Sequence, residues 1–269
     1  MKDGFSKLTK SEKIDWVIEN FFNSSKDDLE ILKQYWSEDE ELQKIHDEFS
    51  ENTLTNFFIP LGIAPNFLID NKTYTIPMAI EESSVVAAAC KSAKFWSKRG
   101  GFKTEIINVI KTGQVHFKFN GDKNKLYEFF ENSKSKILND CNEISENMKA
   151  RGGGILNINL IDKTSEISDY YQLSSDFNTV DSMGANFINS CLEQFAKSFE
   201  TEFLESKLFD EDENLEIVMS ILSNYVPQCL VKAEVRCKLN ELKNGDVEEP
   251  IKFARKFIDA IEIAKNDIS

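Results

Sequence analysis

Hydrophobic residues recur at helical spacing along the first fifty positions. Residues three and four positions apart share one face of a helix, so residues 7–50 are predicted to be helical. The apolar positions that carry this pattern are Leu8, Ile14, Val17, Ile18, Phe21, Phe22, Leu29, Leu32, Tyr35 and Trp36.

The pattern changes to strand-like alternation after Asn52. Residues 53–80 are interrupted by prolines and by Asp70-Asn71, and this arrangement predicts strands joined by a tight turn. A helix of small residues follows from Ser83, and Arg99-Gly100-Gly101 is expected to end it. The run Val86–Cys90 would give this helix a smooth face on which another backbone or a ligand can lie close.

The middle of the chain alternates between strand and helix patterns. The predicted order is a strand at 103–119, a helix at 126–148, strands at 155–161 and 170–180, a helix at 184–208 and a strand at 215–224. This β-α-β-β-α-β order is a split βαβ or ferredoxin-like arrangement. We therefore predict an α+β fold in which a small domain, 103–225, interrupts a larger one formed by 1–102 and 226–269, the latter containing a helix at 250–264.

Charge and cysteine usage exclude several classes of protein. The 269 residues carry a formal net charge of -14, which argues against nucleic acid or an anionic membrane as a main partner. The N-terminus shows no signal-peptide pattern, so we expect a cytoplasmic protein. The five cysteines show no CxxC spacing and are expected to be reduced and mostly buried. With two histidines, the chain is predicted to bind no metal.

The first candidate site is the junction before the small-residue helix. Glu81 and Glu82 precede Ser83 and Ser84, whose hydroxyls could accept hydrogen bonds from the first helical turn. The acids could be ordinary first-turn carboxylates, which a helix N-terminus favours. The alternative is an acid–base group held where a strand meets a helix.

The second candidate site is the sequence Asp181–Asn186, between a predicted strand and a predicted helix. Asp181 could cap the helix, and the amides of the first turn could bind a phosphate. A simply capped helix is an equal alternative. The triplet Gly152–Gly154 is more typical of a turn than of a phosphate cradle. No GxGxxG sequence follows a strand, so the Rossmann fingerprint is absent.

Four strings in the chain resemble one enzyme family. They are ENTLTNFFIPLGIAPNF, IPMAIEESSVVAAACKSAK with GGF after it, DSMGANFINSCLE, and ILSNYVPQCLVKAEV. Together they resemble the hydroxymethylglutaryl-CoA reductases, and the doubled Glu followed by Ser-Val-Val-Ala-Ala-Ala is similar to the class II form. The resemblance implies a reaction that interconverts hydroxymethylglutaryl-CoA with mevalonate and coenzyme A.

The resemblance also implies roles for particular residues. Glu82 falls on the catalytic glutamate and Ser84 on a serine that contacts the hydroxymethylglutaryl group. Asn157 stands where the family can have an aspartate that binds the adenosine ribose. A carboxylate there would repel a 2′-phosphate, and an amide removes that bias. The choice between NAD(H) and NADP(H) is open, with a slight lean away from strict NADH use. The implied cofactor-binding residues are Asp181, Met183, Gly184, Asn186, Asn157 and Asn224.

The resemblance covers about the first three-fifths of a class II enzyme. The motifs that carry the family's catalytic lysine, aspartate and histidine are not found in these 269 residues. We therefore expect the chain alone to be inactive, because it would be a truncated or split reductase. Its expected partner is a second copy of itself, in a homodimer, or a complementing polypeptide. A regulatory or complementing dinucleotide-binding subunit is the alternative, and an unrelated ferredoxin-like interaction protein is a third. We also expect the small domain to be the best-packed part.

Overall fold

The structure, a computed structural model, describes residues 4–22, 26–243 and 247–267. The chain divides into two compact units. Unit 1 comprises Met1–Phe102 and Val235–Ser269, and unit 2 comprises Lys103–Glu234. Helices and strands are mixed in the chain, in agreement with the predicted α+β class.

The elements follow one another closely along the chain. Unit 1 begins with α1 (Lys10–Phe21), α2 (Lys26–Lys33), α3 (Glu40–Asp47), β1 (Leu61–Ile69), β2 (Lys72–Ala79) and α4 (Ser83–Ser97). Unit 2 contains β3 (Lys103–Phe119), α5 (Lys123–Asn139), α6 (Asn142–Ala150), β4 (Gly154–Asp162), β5 (Tyr170–Asn178), α7 (Ala185–Glu205), β6 (Leu215–Leu222) and β7 (Cys229–Glu234). The chain then returns to unit 1 with α8 (Leu239–Leu242) and α9 (Pro250–Asn266).

Unit 1 is built around a hairpin and a helix that packs on it. β1 and β2 pair antiparallel, and Asp70 and Asn71 form the predicted two-residue turn with φ of 46° and 68°. The small side chains of α4 let it lie close to β1. Ala93 is fully buried, and the Cys90 thiol donates to the Ile63 carbonyl at 3.8 Å. The backbone of β1 therefore lies close to α4, as predicted from the small side chains of this helix.

Unit 2 is an antiparallel sheet covered by helices. Its strand order is β4-β5-β3-β6, and β7 pairs with the first half of β3. Apolar residues alternate along the second half of β3 and along β5, and their buried side chains join one core cluster with residues of α5 and α7. The core includes Val115, Phe117, Phe119, Leu126, Phe129, Phe130, Ile137, Ile158, Leu173, Phe177, Ile188, Leu192, Phe195 and Phe199.

Two local predictions were wrong, and one strand was not predicted. The single helix expected over 126–148 is two helices, because α5 ends at Asn139 and α6 begins at Asn142. Strand β7 was not predicted. The thiols are not mostly buried, since Cys141 and Cys191 are buried but Cys229 is exposed on β7 and the remaining two are half-buried.

Candidate functional site

Glu82 stands at the N-cap of α4, where the chain leaves the β2 hairpin. Its backbone is extended, with φ -102° and ψ 124°, and its side chain is exposed. The Ser84 hydroxyl donates to Glu82 Oε1 at 2.6 Å. The two residues implied to face the substrate are therefore in contact. An exposed carboxylate with a hydroxyl donor beside it has the geometry needed to exchange a proton with a bound molecule.

The predicted serine caps are wrong. Ser83 is the first residue of α4, and among the described residues no side chain caps this helix at its start. The Ser84 hydroxyl is directed to the carboxylate of Glu82 instead of to a backbone amide. The first-turn amides of α4 therefore keep their positive potential beside Glu82.

The second site is the loop Thr179–Gly184, which leads into α7. Lys111 of β3 is hydrogen-bonded to this loop. Its ammonium donates to Thr179 Oγ1 at 2.7 Å, to the Ser182 carbonyl at 2.6 Å and to the Met183 carbonyl at 3.0 Å. An ammonium has three N–H donors, and all three find oxygen acceptors in this loop. The sequence reasoning missed Lys111, because only the register of β3 against β5 brings it here.

Gly184 is required by the shape of this loop. It is the N-cap of α7 with φ 77°, and a β-carbon at this position would collide with the side chain of Thr179. Val180 also has a positive φ of 54°. The loop shape thus depends on the positive φ values of Val180 and Gly184 as well as on the hydrogen bonds from Lys111.

Three of the residues that the resemblance assigns to the cofactor, two in the loop and one in α7, face solvent. Asp181, Met183 and Asn186 are exposed, and Met183 is 73% exposed. The alternative of a helix capped by Asp181 is not what the structure has: no side chain in the described part of the chain caps α7. The first-turn amides of α7 are therefore available to an anionic group. Arg151 lies beside them, since its Nη2 donates to Ser182 Oγ at 3.3 Å.

The glycine triplet lies against the same loop. A β-carbon on Gly153 would collide with the carbonyl of Asn178 and contact the side chain of Val180. Gly152 and Gly154 have φ of 88° and 128° and turn the chain from α6 into β4. The structure thus brings together two sequence features that are about 30 residues apart, and sequence spacing alone could not show this.

Asn157 follows the triplet on β4 and is exposed. Its Nδ2 donates to Asp176 Oδ2 at 2.9 Å, and its Oδ1 accepts from the Asp176 amide at 3.3 Å. The register of β4 with β5 pairs these two residues. Asn224, the last implied cofactor residue, is exposed just beyond β6.

On the sheet face that carries Asn157, the central residues of β3 and β5 are polar. His116 Nδ1 lies 2.6 Å from the Tyr170 hydroxyl, and Gln172 Nε2 donates to that hydroxyl at 2.5 Å. Burial lowers the pKa of His116 from its ordinary value, which favours the neutral imidazole. Within the described residues, no group of three or more His, Cys, Asp or Glu could hold a metal ion.

Comparison with known proteins identifies the family. The family model described as hydroxymethylglutaryl-coenzyme A reductase matches residues 10–269. This chain belongs to that family. The resemblance found in the sequence is thereby confirmed.

Two relatives show how much of such a reductase the chain covers. The 3-hydroxy-3-methylglutaryl-coenzyme A reductase of Archaeoglobus fulgidus is 31% identical over 256 residues, which are 94% of this chain and 55% of that protein. The probable reductase of Borreliella burgdorferi is 29% identical over 217 residues, 78% of this chain and 46% of that protein. The chain therefore spans about half the length of these relatives.

Solved reductase structures share the fold. The class II 3-hydroxy-3-methylglutaryl-CoA reductase from Streptococcus pneumoniae, bound to NADPH in open conformations, is 25% identical with a TM-score of 0.68, covering 98% of this chain and 68% of that one. A second structure of the pneumococcal enzyme gives 26% identity and a TM-score of 0.69, covering 98% and 67%. No helix among the described residues is both long and apolar enough to cross a membrane.

Proposed function

We propose that this chain is the part of a class II hydroxymethylglutaryl-CoA reductase that supplies the catalytic glutamate and the dinucleotide site. The reaction is the interconversion of hydroxymethylglutaryl-CoA with mevalonate and coenzyme A, using NAD(H) or NADP(H). The observation that carries the proposal is the loop Thr179–Gly184, which belongs to the family-matched region and which Lys111 holds by three hydrogen bonds.

The residues around this loop fit a dinucleotide. The uncapped start of α7 offers backbone donors to a pyrophosphate, and Arg151 adds a positive charge beside it. Asp181, Met183 and Asn186 are exposed and able to contact the nicotinamide half, with Asn224 as a further contact. Gly184 lets the loop pack against Thr179, where a β-carbon would collide with that side chain.

Glu82 and Ser84 are proposed to act on the thioester. Reduction of the thioester to the alcohol takes two hydrides, which bound dinucleotides would supply, and releases coenzyme A as its thiol. Each hydride addition would leave negative charge on the carbonyl oxygen, and Glu82, when its carboxyl group is protonated, would deliver a proton to that oxygen. Ser84 orients Glu82 through the 2.6 Å hydrogen bond and can also contact the hydroxymethylglutaryl group.

Unit 2 is proposed to be a ferredoxin-like dinucleotide-binding domain. Its four principal strands appear along the chain as β3, β4, β5 and β6 and lie in the order β4-β5-β3-β6. This is a split βαβ connection, with the first helical segment divided into α5 and α6. Unit 1 would then carry the substrate side with Glu82.

The proposal is tested first by dinucleotide binding. The folded 269-residue polypeptide should quench NADH or NADPH fluorescence with saturation, and Lys111→Met should weaken binding by about tenfold or more, because the loop loses three hydrogen bonds. Lys118→Met, on the exposed face of the same strand, is the matched control and should bind normally. A folded chain that binds neither dinucleotide would contradict the proposal.

Catalysis is tested with a second pair of variants. The polypeptide alone should show little turnover, because these residues hold no counterpart of the family's lysine, aspartate and histidine motifs. In a fusion to the remaining third of the pneumococcal enzyme, Glu82→Gln should lower kcat by about 10²–10⁴-fold. Glu81→Gln, one residue away, should leave kcat nearly unchanged. An equal loss in both variants, or a folded fusion that binds both ligands without turnover, would contradict the role of Glu82.

A further inference from the structure

Two cysteines meet in the core of unit 2, between the helices that cover its sheet. Cys141 lies at the break between α5 and α6, and Cys191 lies in α7. Both side chains are fully buried. The two residues are 50 positions apart in the chain, yet the Cys141 thiol donates to the Cys191 carbonyl at 3.6 Å. Neither thiol has a part in the proposed function.

Hydrogen bonds hold Cys141 in this position. The Ser145 hydroxyl, which is itself fully buried, donates to the Cys141 carbonyl at 2.6 Å. Ser198 of α7 is also buried, and its hydroxyl donates to Asp140 Oδ2 at 2.8 Å. The junction between α5 and α6 is therefore attached to α7 through Asp140 and Cys141. This attachment keeps the two thiols side by side.

The two thiols differ in reactivity. Their interaction lowers the pKa of Cys191, and together with burial it raises the pKa of Cys141. The thiolate is the form of cysteine that reacts with oxidants. Cys191 is therefore expected to be oxidised first, with Cys141 placed to react with the product. A reactive thiol beside a second, resolving thiol is the arrangement in which cysteine oxidation ends as a disulfide.

We propose that Cys141 and Cys191 are a redox site, at which a peroxide forms a disulfide between α7 and the α5–α6 junction. The Cys191 thiolate attacks one oxygen of hydrogen peroxide and becomes a sulfenic acid, while the O–O bond breaks and hydroxide leaves. The Cys141 sulfur then attacks the sulfenic sulfur. An S–S bond forms, the S–O bond breaks, and its hydroxyl leaves as water. Overall the two thiols lose two hydrogens and two electrons, and the peroxide is reduced to two molecules of water.

Local opening of α6 gives the peroxide access to the buried pair. This helix is nine residues long, and no side chain among the residues that the structure describes caps its start. Its residues Asn142, Glu143 and Glu146 are exposed. A short helix of this kind opens more readily than the sheet behind it. The disulfide closes a long loop and so restricts the unfolded chain, which stabilises unit 2.

The test treats the folded polypeptide with hydrogen peroxide and follows its intact mass. The triple variant Cys90→Ser, Cys229→Ser, Cys237→Ser leaves only the proposed pair. It should lose the mass of two hydrogen atoms, and digestion should yield a peptide that joins Cys141 to Cys191. Dithiothreitol should restore the original mass. Oxidation should raise the midpoint of thermal unfolding by about 5 °C or more.

Two alanine variants in the same background separate the roles of the thiols. Alanine is small and apolar, so it suits either buried site. In Cys141→Ala the sulfenic acid of Cys191 has no resolving thiol, and dimedone should trap it. In Cys191→Ala the remaining thiol of Cys141 should give little dimedone adduct. Neither variant should form the crosslink, and equal adducts in both would contradict the order of the two steps.

Three results would overturn the inference. They are no crosslink in the folded triple variant, a crosslink that forms only after unfolding in urea, and a thermal midpoint that oxidation leaves unchanged or lowers. If the alanine variants fail to fold, the peptide map of the oxidised triple variant decides the question, since it requires no change at Cys141 or Cys191. Dinucleotide binding by the reduced chain is a separate measurement, so the proposed function stands or falls independently of this site.

Discussion

Unit 2 and unit 1 differ in how completely they bury their apolar residues. The main cluster of buried hydrophobic side chains lies wholly within 103–234, where six phenylalanines are among the largest fully buried residues. Outside that range, the buried apolar residues in the described part of the chain are Ile14, Ile18, Ala64, Ala93 and Leu242. Phe57 and Phe49 of unit 1 are 86% and 78% exposed.

The difference shows where each unit obtains its stability. Unit 2 forms a sheet, a helical layer and the core between them from one continuous segment, as we expected of the small domain. Unit 1 is formed from two segments and leaves a surface of large apolar side chains in solvent. Exposed surface of this kind typically binds another polypeptide or promotes aggregation. Mutations should therefore affect the two units unequally.

The largest expected difference comes from aromatic truncation. Phe199 is fully buried, with its ring centroid 5.2 Å from those of Phe117 and Phe129. Phe199→Ala should lower the free energy of unfolding of unit 2 by about 3–5 kcal/mol. Phe57→Ala, which removes an exposed ring from unit 1, should change it by about 0.5 kcal/mol or less. Urea unfolding followed by circular dichroism measures both, and equal losses would contradict the comparison.

A smaller effect is expected from matched helix caps. Asp122 accepts hydrogen bonds from the amides of Asn124 and Lys125 at the start of α5, and Thr9 forms a capping box with Glu12 at the start of α1. Asp122→Ala and Thr9→Ala should each cost about 1 kcal/mol of local stability. Hydrogen exchange should show the loss confined to the unit that carries the change. Loss of protection in both units from either variant would show that they unfold as one.

The smallest expected effect is an acid sensitivity of unit 2. Lys123 lowers the pKa of Asp162 to about 2, and Lys125 lowers the pKa of Glu213 to about 2. Both values lie below those of the unfolded chain, about 4. The stabilisation of unit 2 by these two ionised carboxylates is complete above about pH 4 and is lost as pH falls toward 2. Urea midpoints measured between pH 6 and pH 2.5 should fall over that range.

Lys125→Met is the variant that isolates one of these carboxylates. Glu213 loses its main partner, so the acid-dependent fall of the urea midpoint should be shallower than in the wild type. Lys118→Met, an exposed lysine of β3, should retain the wild-type slope. A wild-type slope in Lys125→Met would contradict the assignment.

Periodicity predicted most elements because most of them bury one face. β3 and β5 alternate, α7 repeats its apolar positions at helical spacing, and the turn at Asp70-Asn71 has the expected chemistry. β7 was missed because it has no buried face: five of its six residues are exposed. The break between α5 and α6 was missed because it depends on tertiary contacts. Ser198 Oγ donates to Asp140 Oδ2, and the Cys141 thiol donates to the Cys191 carbonyl.

The candidate site was predictable in its motifs but not in its contacts. The strings around Glu82 and Asp181 identified the family, which comparison with known proteins confirmed. Their assigned roles stay predictions. The contacts of Lys111 and Asp176 could not be predicted, because they depend on how β3, β4 and β5 pair. The sequence of a single strand does not show that register. The alternation of β5 placed Asp176 on the open face, yet nothing in the sequence set Asn157 beside it.

The long strand β3 has a consequence for how the protein is made. It is the first strand of unit 2 to leave the ribosome, but its partners β5, β6 and β7 are all synthesised later. The residue that pairs with Lys103 is Glu234, more than a hundred residues downstream. At about 5–20 residues per second, β3 waits on the order of ten seconds for its last partner. Until β5, β6 and β7 are synthesised in turn, the nascent chain presents unpaired edges of β3, and chaperones that bind extended apolar segments have a limited time in which to act.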